Sequence, residues 1–442
     1  MQRIHLALTL LAVCPLLTFA QDEESRPNFV IIMADDLGYG DLSCYGNEAF
    51  ETPHLDALAK AGMKFTDFHS SGAVCSPTRA GLLTGRYQQR AGIPGVVFAD
   101  PKRPEHKHGL QQVENTFAEV LGEAGYTTAM FGKWHLGYET KYNPVKNGFA
   151  EFRGYVSGNV DYFSHVDQAG AFDWWINDEK KDEEGYSTHL INKHAVRYIN
   201  ESGSKPFCLY VAHEAPHYPY QGPNDKAIRG AGAERTKNEN KGVDIKTAYR
   251  EMVQAVDTGV GEIMAALRKN ELANNTLVIF FSDNGGTKNG SNGKLRGHKG
   301  SVWEGGHRVP CLAVWPGKIR TGSETSQACI SLDIMPTMLD YADVQAPAGR
   351  RLDGKSLRPT LAGVSPERRT LYWQHGNATA VRRGEWKLVK IGRKDAELYN
   401  LADDPTESKN MADTEQKRKV GMLQMLLKWK LEMMRTATRQ PG

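Results

Sequence analysis

Four residues of this chain offer only hard oxygen donors, and they fall in two pairs, Asp35-Asp36 and Asp283-Asn284. Oxygen ligands without sulfur or imidazole favour calcium or magnesium over zinc. An adjacent Asp pair carries little weight alone, because neighbours on a regular strand point to opposite faces. It serves one site only if Asp35 lies beyond a strand end. Three carboxylates packed together repel unless a cation neutralises them. The chain also supplies Arg79, Lys133 and Lys299, with His135 and His217 as candidates for proton transfer. Such a set suits a tetrahedral oxyanion, sulfate or phosphate, whose charge is held while an ester oxygen departs. Composition does not choose between the two.

Short apolar runs lead into these polar residues. Phe29 to Met33 ends in Ala34-Asp35-Asp36, and Thr127 to Phe131 in Gly132-Lys133-Trp134-His135. Phe207 to Ala212 ends in His213 and then His217, and Leu277 to Phe281 in Ser282-Asp283-Asn284. Runs of this length between turn residues predict fully buried strands. Helical patterns over Pro53 to Gly62, Thr116 to Gly125 and Ala248 to Asn270 alternate with them, which predicts an α/β fold with a large, mostly parallel sheet sandwiched between helices. Ligands of such sheets gather beyond the carboxyl ends of the strands. A further helix is expected from Pro77 onward. After about Leu361 the texture changes: Thr370 to Trp373, Ala378 to Val381 and Trp386 to Lys390 read as antiparallel strands, and Asp413 to Met434 as a closing amphipathic helix. This divides the chain into a main domain over 21–361 and a smaller one over 362–442. Asp100 to His108 and Gly222 to Gly242 are expected as surface loops bordering the rim, and His165 to Gly185 as a hairpin with a solvated tip.

The 442 residues, 40% hydrophobic and 24% charged, exclude a disordered, collagen-like or disulfide-dense chain. Arg3 and His5 precede an apolar run, Leu6 to Phe19, that ends in Thr18-Phe19-Ala20. This reads as a secretory signal over 1–20, so the expected location is periplasmic or secreted. A lipoprotein box at Leu11 to Cys14 is the weaker reading, because Val13 is bulky where a small residue is wanted. No stretch approaches the roughly 18 apolar residues that spanning requires, so no stable membrane insertion is expected. Without the leader, 54 basic residues face 52 acidic ones, a net charge of +2. That balance argues against nucleic acid as a partner. Five cysteines then remain, Cys44, Cys75, Cys208, Cys311 and Cys329, and an odd count leaves at least one thiol unpaired or chemically special.

The stretch Cys75-Ser76-Pro77-Thr78-Arg79-Ala80-Gly81-Leu82-Leu83-Thr84-Gly85 resembles the type I sulfatase signature, Cys-x-Pro-x-Arg followed by Leu-Thr-Gly, without a departure. Ala34-Asp35-Asp36-Leu37-Gly38, Gly132 to Gly137, Ala215-Pro216-His217, Ser282-Asp283-Asn284-Gly285 and Lys299 to Gly306 accompany it in the expected order. From about Pro27 into the small C-terminal domain, the chain is similar to the arylsulfatase and glycan-sulfatase group of the alkaline-phosphatase-like superfamily.

The resemblance implies that a formylglycine-forming maturation enzyme converts Cys75 to formylglycine. The hydrate attacks sulfur, and the sulfated enzyme intermediate collapses to aldehyde and free sulfate. Carried over by motif, Arg79 steadies the diol, and Asp35, Asp36, Asp283, Asn284 and residue 75 itself hold calcium, with magnesium the alternative. Lys133 and Lys299 bind sulfate oxygens, His135 takes the diol proton, and His217 protonates or polarises the leaving oxygen. His213 is the competing family histidine, and the Ala-Pro-His context favours His217. Ser157 is carried over as a contact to the diol or substrate on a looser motif. Glu304 and Arg308 are explained equally well by a structural turn. The implied substrate is a sulfated glycan. The alternatives are a phosphomonoester or phosphonate ester hydrolase with the same metal cradle, and a non-catalytic glycan binder with Cys75 unconverted.

Overall fold

A computed structural model describes residues 26–232, 239–364 and 368–440. The expected leader over 1–20 and part of the Gly222 to Gly242 loop lie outside the described residues. The architecture is set by the apolar runs. In the strand Asn28–Ala34 all seven residues are buried. Phe29, Ile31 and Met33 enter one core while Val30, Ile32 and Ala34 enter another. A strand buried on both faces has no reason to alternate polar residues, which is why it appears as an unbroken apolar run.

Asn28–Ala34 lies between Phe207–Ala212 and Thr276–Ser282, parallel to both. Thr127–Lys133 continues the parallel set beyond Phe207–Ala212, followed by Glu151–Tyr155. Ten strands make the whole sheet, with Cys311–Val314 running antiparallel on the other side. The register pairs Ala34 with Ser282 and Met33 with Ala212, so the residues that follow these strands emerge along one rim. Helices Ser187–Glu201 and Ile245–Lys269 cover one face; Cys75–Thr84, Phe117–Glu123 and Ile334–Ala342 cover the other. The expected sheet and helices are present with ends shifted by at most three residues.

Other differences are informative. The helix expected from Pro77 starts at Cys75. A proline in the first turn removes an N–H that has no intrahelical acceptor, so it does not delay the helix. The expected hairpin within 165–185 consists of two-residue strands, Trp175–Ile176 and Glu179–Lys180, that end the large sheet, with Asn177 and Asp178 exposed at its tip. Cys44, Cys75, Cys208, Cys311 and Cys329 are all free thiols. Among the described residues no helix is long and apolar enough to cross a membrane.

A separate antiparallel sheet holds Thr370–His375, Ala378–Arg383, Trp386–Ile391 and a fourth strand not anticipated, Glu397–Asn400. The closing helix, Gln416–Thr436, packs on it through Trp429, whose ring stacks on Tyr372 with centroids 5.0 Å apart. The joint to the large sheet has an apolar part, in which Tyr87, Ile330 and Leu332 join the small sheet's core, and a buried ionic part. Lys387 Nζ lies 2.8 Å from Glu304 and 2.9 Å from Glu407, all three side chains without exposure. Arg382 donates to both carboxylate oxygens of Asp67, at 2.7 and 2.6 Å. Glu304 thus belongs to this joint, and Arg308 donates to the Thr66 carbonyl beside it.

Burial would raise the Asp67 carboxyl, but Arg382, helped by His69 and Arg308, holds it well below the usual range. A depressed carboxyl contributes stability above its unfolded pKa, near 3.9, that is lost as pH falls through the folded value. Arg382→Met removes the strongest of these partners and leaves a buried carboxylate held only by His69 at 2.8 Å and by Arg308 at 3.8 Å. The variant is expected to lose about 3–5 kcal/mol at pH 7, and less near pH 4 where Asp67 is free to protonate. Urea unfolding at the two pH values checks this, and equal losses would contradict it.

Candidate active site

Asp35 follows the end of Asn28–Ala34 directly. Asp36 adopts a φ of 67°, in the left-handed region that residues other than glycine seldom enter. That turn defeats strand alternation: carboxylate oxygens of Asp35, Asp36 and Asp283 lie within 4.8 Å of one another. Asp283 follows Thr276–Ser282, the neighbouring strand, and its N–H donates to the Ala34 carbonyl at 3.0 Å. Asn284 Nδ2 donates to Asp36 at 2.8 Å, while its own Oδ1 is buried without a partner, as is Asp35 Oδ1.

Cations meet these carboxylates from three segments. Arg79, one turn into Cys75–Thr84, donates through Nη2 to Asp35 at 2.9 Å and to Asp283 at 3.1 Å, and through Nη1 to the Lys133 carbonyl at 2.7 Å. Lys133 closes its strand and donates to Asp35. Gly132 before it has a φ of 110°, and a Cβ there would sit 2.0 Å from the Ala212 carbonyl oxygen, so the approach to Lys133 requires glycine. Lys299 donates to Asp36 at 2.9 Å.

The charges shape one another. Burial raises the Asp35 carboxyl, but Lys133, His217 and Arg79 outweigh it and hold Asp35 well below the usual range. Burial and the charge of Asp35 push Asp283 up to about 7. Such a split is expected of carboxylates sharing a site, and a bound divalent cation would lower all of them. Burial opposes the charge on Lys299, but Asp36 raises its pKa. Cys75 is buried, and burial raises its thiol despite Lys133 and Lys299. The side chain stays a protonated thiol, not an activated thiolate.

Cys75 Sγ, an Asp35 oxygen and a His217 nitrogen lie within 4.8 Å of one another. His217 Nδ1 faces the Tyr218 carbonyl at 2.5 Å, and Nε2 lies 3.7 Å from Asp36. Since a carbonyl only accepts, Nδ1 carries the proton and Nε2 turns a lone pair to the site. His135, with a φ of 57°, places Nε2 2.8 Å from the Val97 carbonyl, which leaves Nδ1 bare. Burial, reinforced by Lys133 and Arg79, lowers the His135 pKa well below the usual value. His213 is buried with neither ring nitrogen partnered, its pKa lowered to about 3 by burial, and it takes no part in the Cys75 cluster. Ser157 lies two residues beyond the strand Glu151–Tyr155; its Oγ donates to the Asn159 carbonyl at 3.1 Å and is not directed at the carboxylates.

Two backbone contributors escaped the sequence reading, the Val97 carbonyl on His135 and the Ala73 carbonyl, which accepts from Gly300 N–H at 2.8 Å next to Lys299. A backbone carbonyl carries no residue-type signal. Another, Glu214, is a buried carboxyl raised well above the usual range by burial that accepts from Val160 N–H at 2.9 Å; it lies between His213 and His217, to which the motif drew attention instead.

The "Sulfatase" family model matches residues 27–344, and the "N-sulphoglucosamine sulphohydrolase, C-terminal" model matches residues 298–437. The chain is 33% identical over 384 residues to N-acetylgalactosamine-6-sulfatase of Rattus norvegicus, covering 82% of this chain and 71% of the relative. It is 34% identical over 450 residues to arylsulfatase A of Homo sapiens, covering 87% and 83%. A crystal structure of Ps i-CgsB in complex with k-i-k-neocarrahexaose superposes with a TM-score of 0.83 at 30% identity, covering 94% of this chain and 95% of the other. A phosphonate monoester hydrolase of Agrobacterium radiobacter shares the fold at 20% identity and a TM-score of 0.64, covering 92% and 96%.

The tautomer of His135 is directly observable. Long-range proton–nitrogen NMR at pH 7 is expected to show a neutral ring protonated at Nε2. An imidazolium, or a ring protonated at Nδ1, would contradict the geometry.

Proposed function

We propose, for a chain that belongs to the sulfatase family and is a sulfuric ester hydrolase, that it is exported to the periplasm or beyond and releases inorganic sulfate from sulfated carbohydrate. The observation that carries the chemistry is the position of Cys75 at the first turn of its helix, against Asp35 and His217 and within electrostatic reach of Lys133 and Lys299. A buried, protonated thiol is a poor nucleophile, which supports conversion of Cys75 to formylglycine by a maturation enzyme. Support for a carbohydrate comes from the relatives whose names or bound ligands are sugars, N-acetylgalactosamine-6-sulfatase and the neocarrahexaose complex.

The oxygen set fits a calcium ion, with magnesium the alternative. Asp35 Oδ1 and Asn284 Oδ1 are buried acceptors without partners, and the remaining donors are hard carboxylate oxygens. Asp35, Asp36, Asp283, Asn284 and residue 75 would hold it, and its charge would polarise a sulfate oxygen. Converted and hydrated, residue 75 offers one hydroxyl to sulfur and keeps a second on the same carbon, whose deprotonation expels sulfate and restores the aldehyde. Arg79 orients that diol, and Lys133 and Lys299 hold sulfate oxygens.

The two histidines divide the proton work. His135, neutral with a bare Nδ1, is built to accept the diol proton. His217 is held well below the usual histidine value by burial and by Lys299 and Lys133. A sulfate anion beside it would oppose the charges of Lys299 and Lys133 and raise it, which favours a proton at Nε2 for the departing oxygen.

With protein matured in the presence of a formylglycine-forming enzyme, 4-nitrophenyl sulfate is expected to be cleaved in preference to 4-nitrophenyl phosphate, and a panel of sulfated glycans to contain the substrate. Preference for phosphate would move the chain to phosphoester hydrolysis. Cys75→Ala is expected to lose turnover at unchanged melting temperature, and retained turnover would refute the nucleophile. Calcium at a hundredfold excess over its dissociation constant should stabilise the fold by about 2.7 kcal/mol. Asp283→Ala should abolish that shift, and a variant that keeps it would remove Asp283 from the metal site.

A further inference from the structure

The last described residues return to the segment over 90–114 and fasten a loop that the catalytic cluster depends on. Gln440, half-buried, uses all of its amide. Nε2 donates one proton to the Gly92 carbonyl at 2.9 Å and the other to the Gly109 carbonyl at 3.0 Å. Its Oε1 accepts from Gly109 N–H at 3.1 Å and from Gln111 Nε2 at 2.8 Å. One side chain therefore ties together the two feet of the loop spanning residues 93–108.

The rest of the tail reinforces this. Thr438 N–H donates to the Arg90 carbonyl at 2.8 Å, and its hydroxyl donates to Glu114. The tail runs so close that a Cβ on Gly92, whose φ is 82°, would lie 2.6 Å from the Thr438 carbonyl oxygen. Arg90 is itself locked, through two contacts of 2.9 Å to Asp353 and one of 2.9 Å to Glu432 on the closing helix.

Inside the loop, Val97 is buried and faces the catalytic cluster on both sides of its peptide. Its N–H donates to Ser76 Oγ at 3.1 Å, next to Cys75, and its carbonyl faces His135 Nε2 at 2.8 Å. The second foot is tied to the same place, since Leu110 N–H donates to the Leu136 carbonyl at 2.9 Å. No other hydrogen-bond partner is recorded for the His135 ring among the described residues, so the position of Val97 decides the ring's tautomer and pose.

We propose that Gln440 is a positioning residue for His135: by pinning Gly92 and Gly109 together it keeps the Val97 carbonyl on His135 Nε2 and leaves Nδ1 bare. The proposal rests on the role given to His135 above, and two of its readouts do not require turnover. The test compares Gln440→Glu, which has nearly the same shape but sets a carboxylate against two carbonyls, with Gln440→Ala, both in the full, matured chain.

Hydrogen exchange across 93–108 should accelerate, and NMR should show His135 losing its single Nε2-protonated form. The kcat for 4-nitrophenyl sulfate should fall about tenfold, the scale expected of a slightly misplaced catalytic group, with KM within about twofold of wild type, because the sulfate-holding lysines are untouched. Unchanged exchange and an unchanged His135 signal in both variants would overturn the linkage. Faster exchange with kcat unchanged would overturn the positioning role. Equal losses in kcat and affinity together with a large fall in melting temperature would assign Gln440 to general stability instead. If wild type is silent on sulfate esters while exchange and tautomer respond as stated, the linkage stands and the function given to His135 fails.

Discussion

Three carboxylates buried beside one another, Asp35, Asp36 and Asp283, are the constraint on which the rest of the molecule depends. Each costs several kcal/mol to desolvate, and their mutual repulsion adds to that cost. Arg79, Lys133 and Lys299 offset it, three cations for three carboxylates, so with neutral histidines the rim carries no net charge once all three carboxylates are ionised. A divalent cation changes the sum to +2, and a sulfate monoester anion brings it to +1. A divalent cation held there would thus turn a balanced rim into one that attracts an anion, before any chemistry begins.

No short segment can assemble this balance, and the fold is arranged to do it. The parallel register carries Asp35 and Asp283 to the ends of adjacent strands, with Lys133 two strands away. The helix Cys75–Thr84 packs beneath the rim and aims Arg79 across both Asp35 and Asp283. Lys299 comes on a loop whose far side is anchored by Glu304, and Glu304 is held by Lys387 from the C-terminal sheet. The small sheet therefore contributes to the site indirectly, by fixing where a distant ammonium group can sit. Gln440 repeats the logic through the loop whose Val97 carbonyl meets His135.

Much of this was legible because burial on both faces leaves an unmistakable trace. The runs at Phe29, Thr127, Phe207 and Leu277 could hardly be anything but central strands, and polar residues at their ends had to share a rim. The Asp35-Asp36 pair was ambiguous for a physical reason: alternation separates adjacent side chains, and only the left-handed turn at Asp36, a tertiary feature with no glycine to announce it, brings them together. His213 and His217 were separated only by motif context, whereas the turn after Phe207–Ala212 decides which ring reaches the carboxylates. The strand Glu397–Asn400 is too short to show a pattern. Val97 and Gln440 act through a backbone carbonyl and a terminal amide, neither of which any local periodicity marks.

The charge balance can be measured without turnover. Inorganic sulfate titrated calorimetrically into the Cys75→Ala protein should bind when calcium is present, and at least about tenfold more weakly after chelation, a difference of roughly 1.4 kcal/mol. Equal affinity with and without the ion would show that the lysines and Arg79 hold the anion by themselves, and would contradict a rim whose own charges cancel.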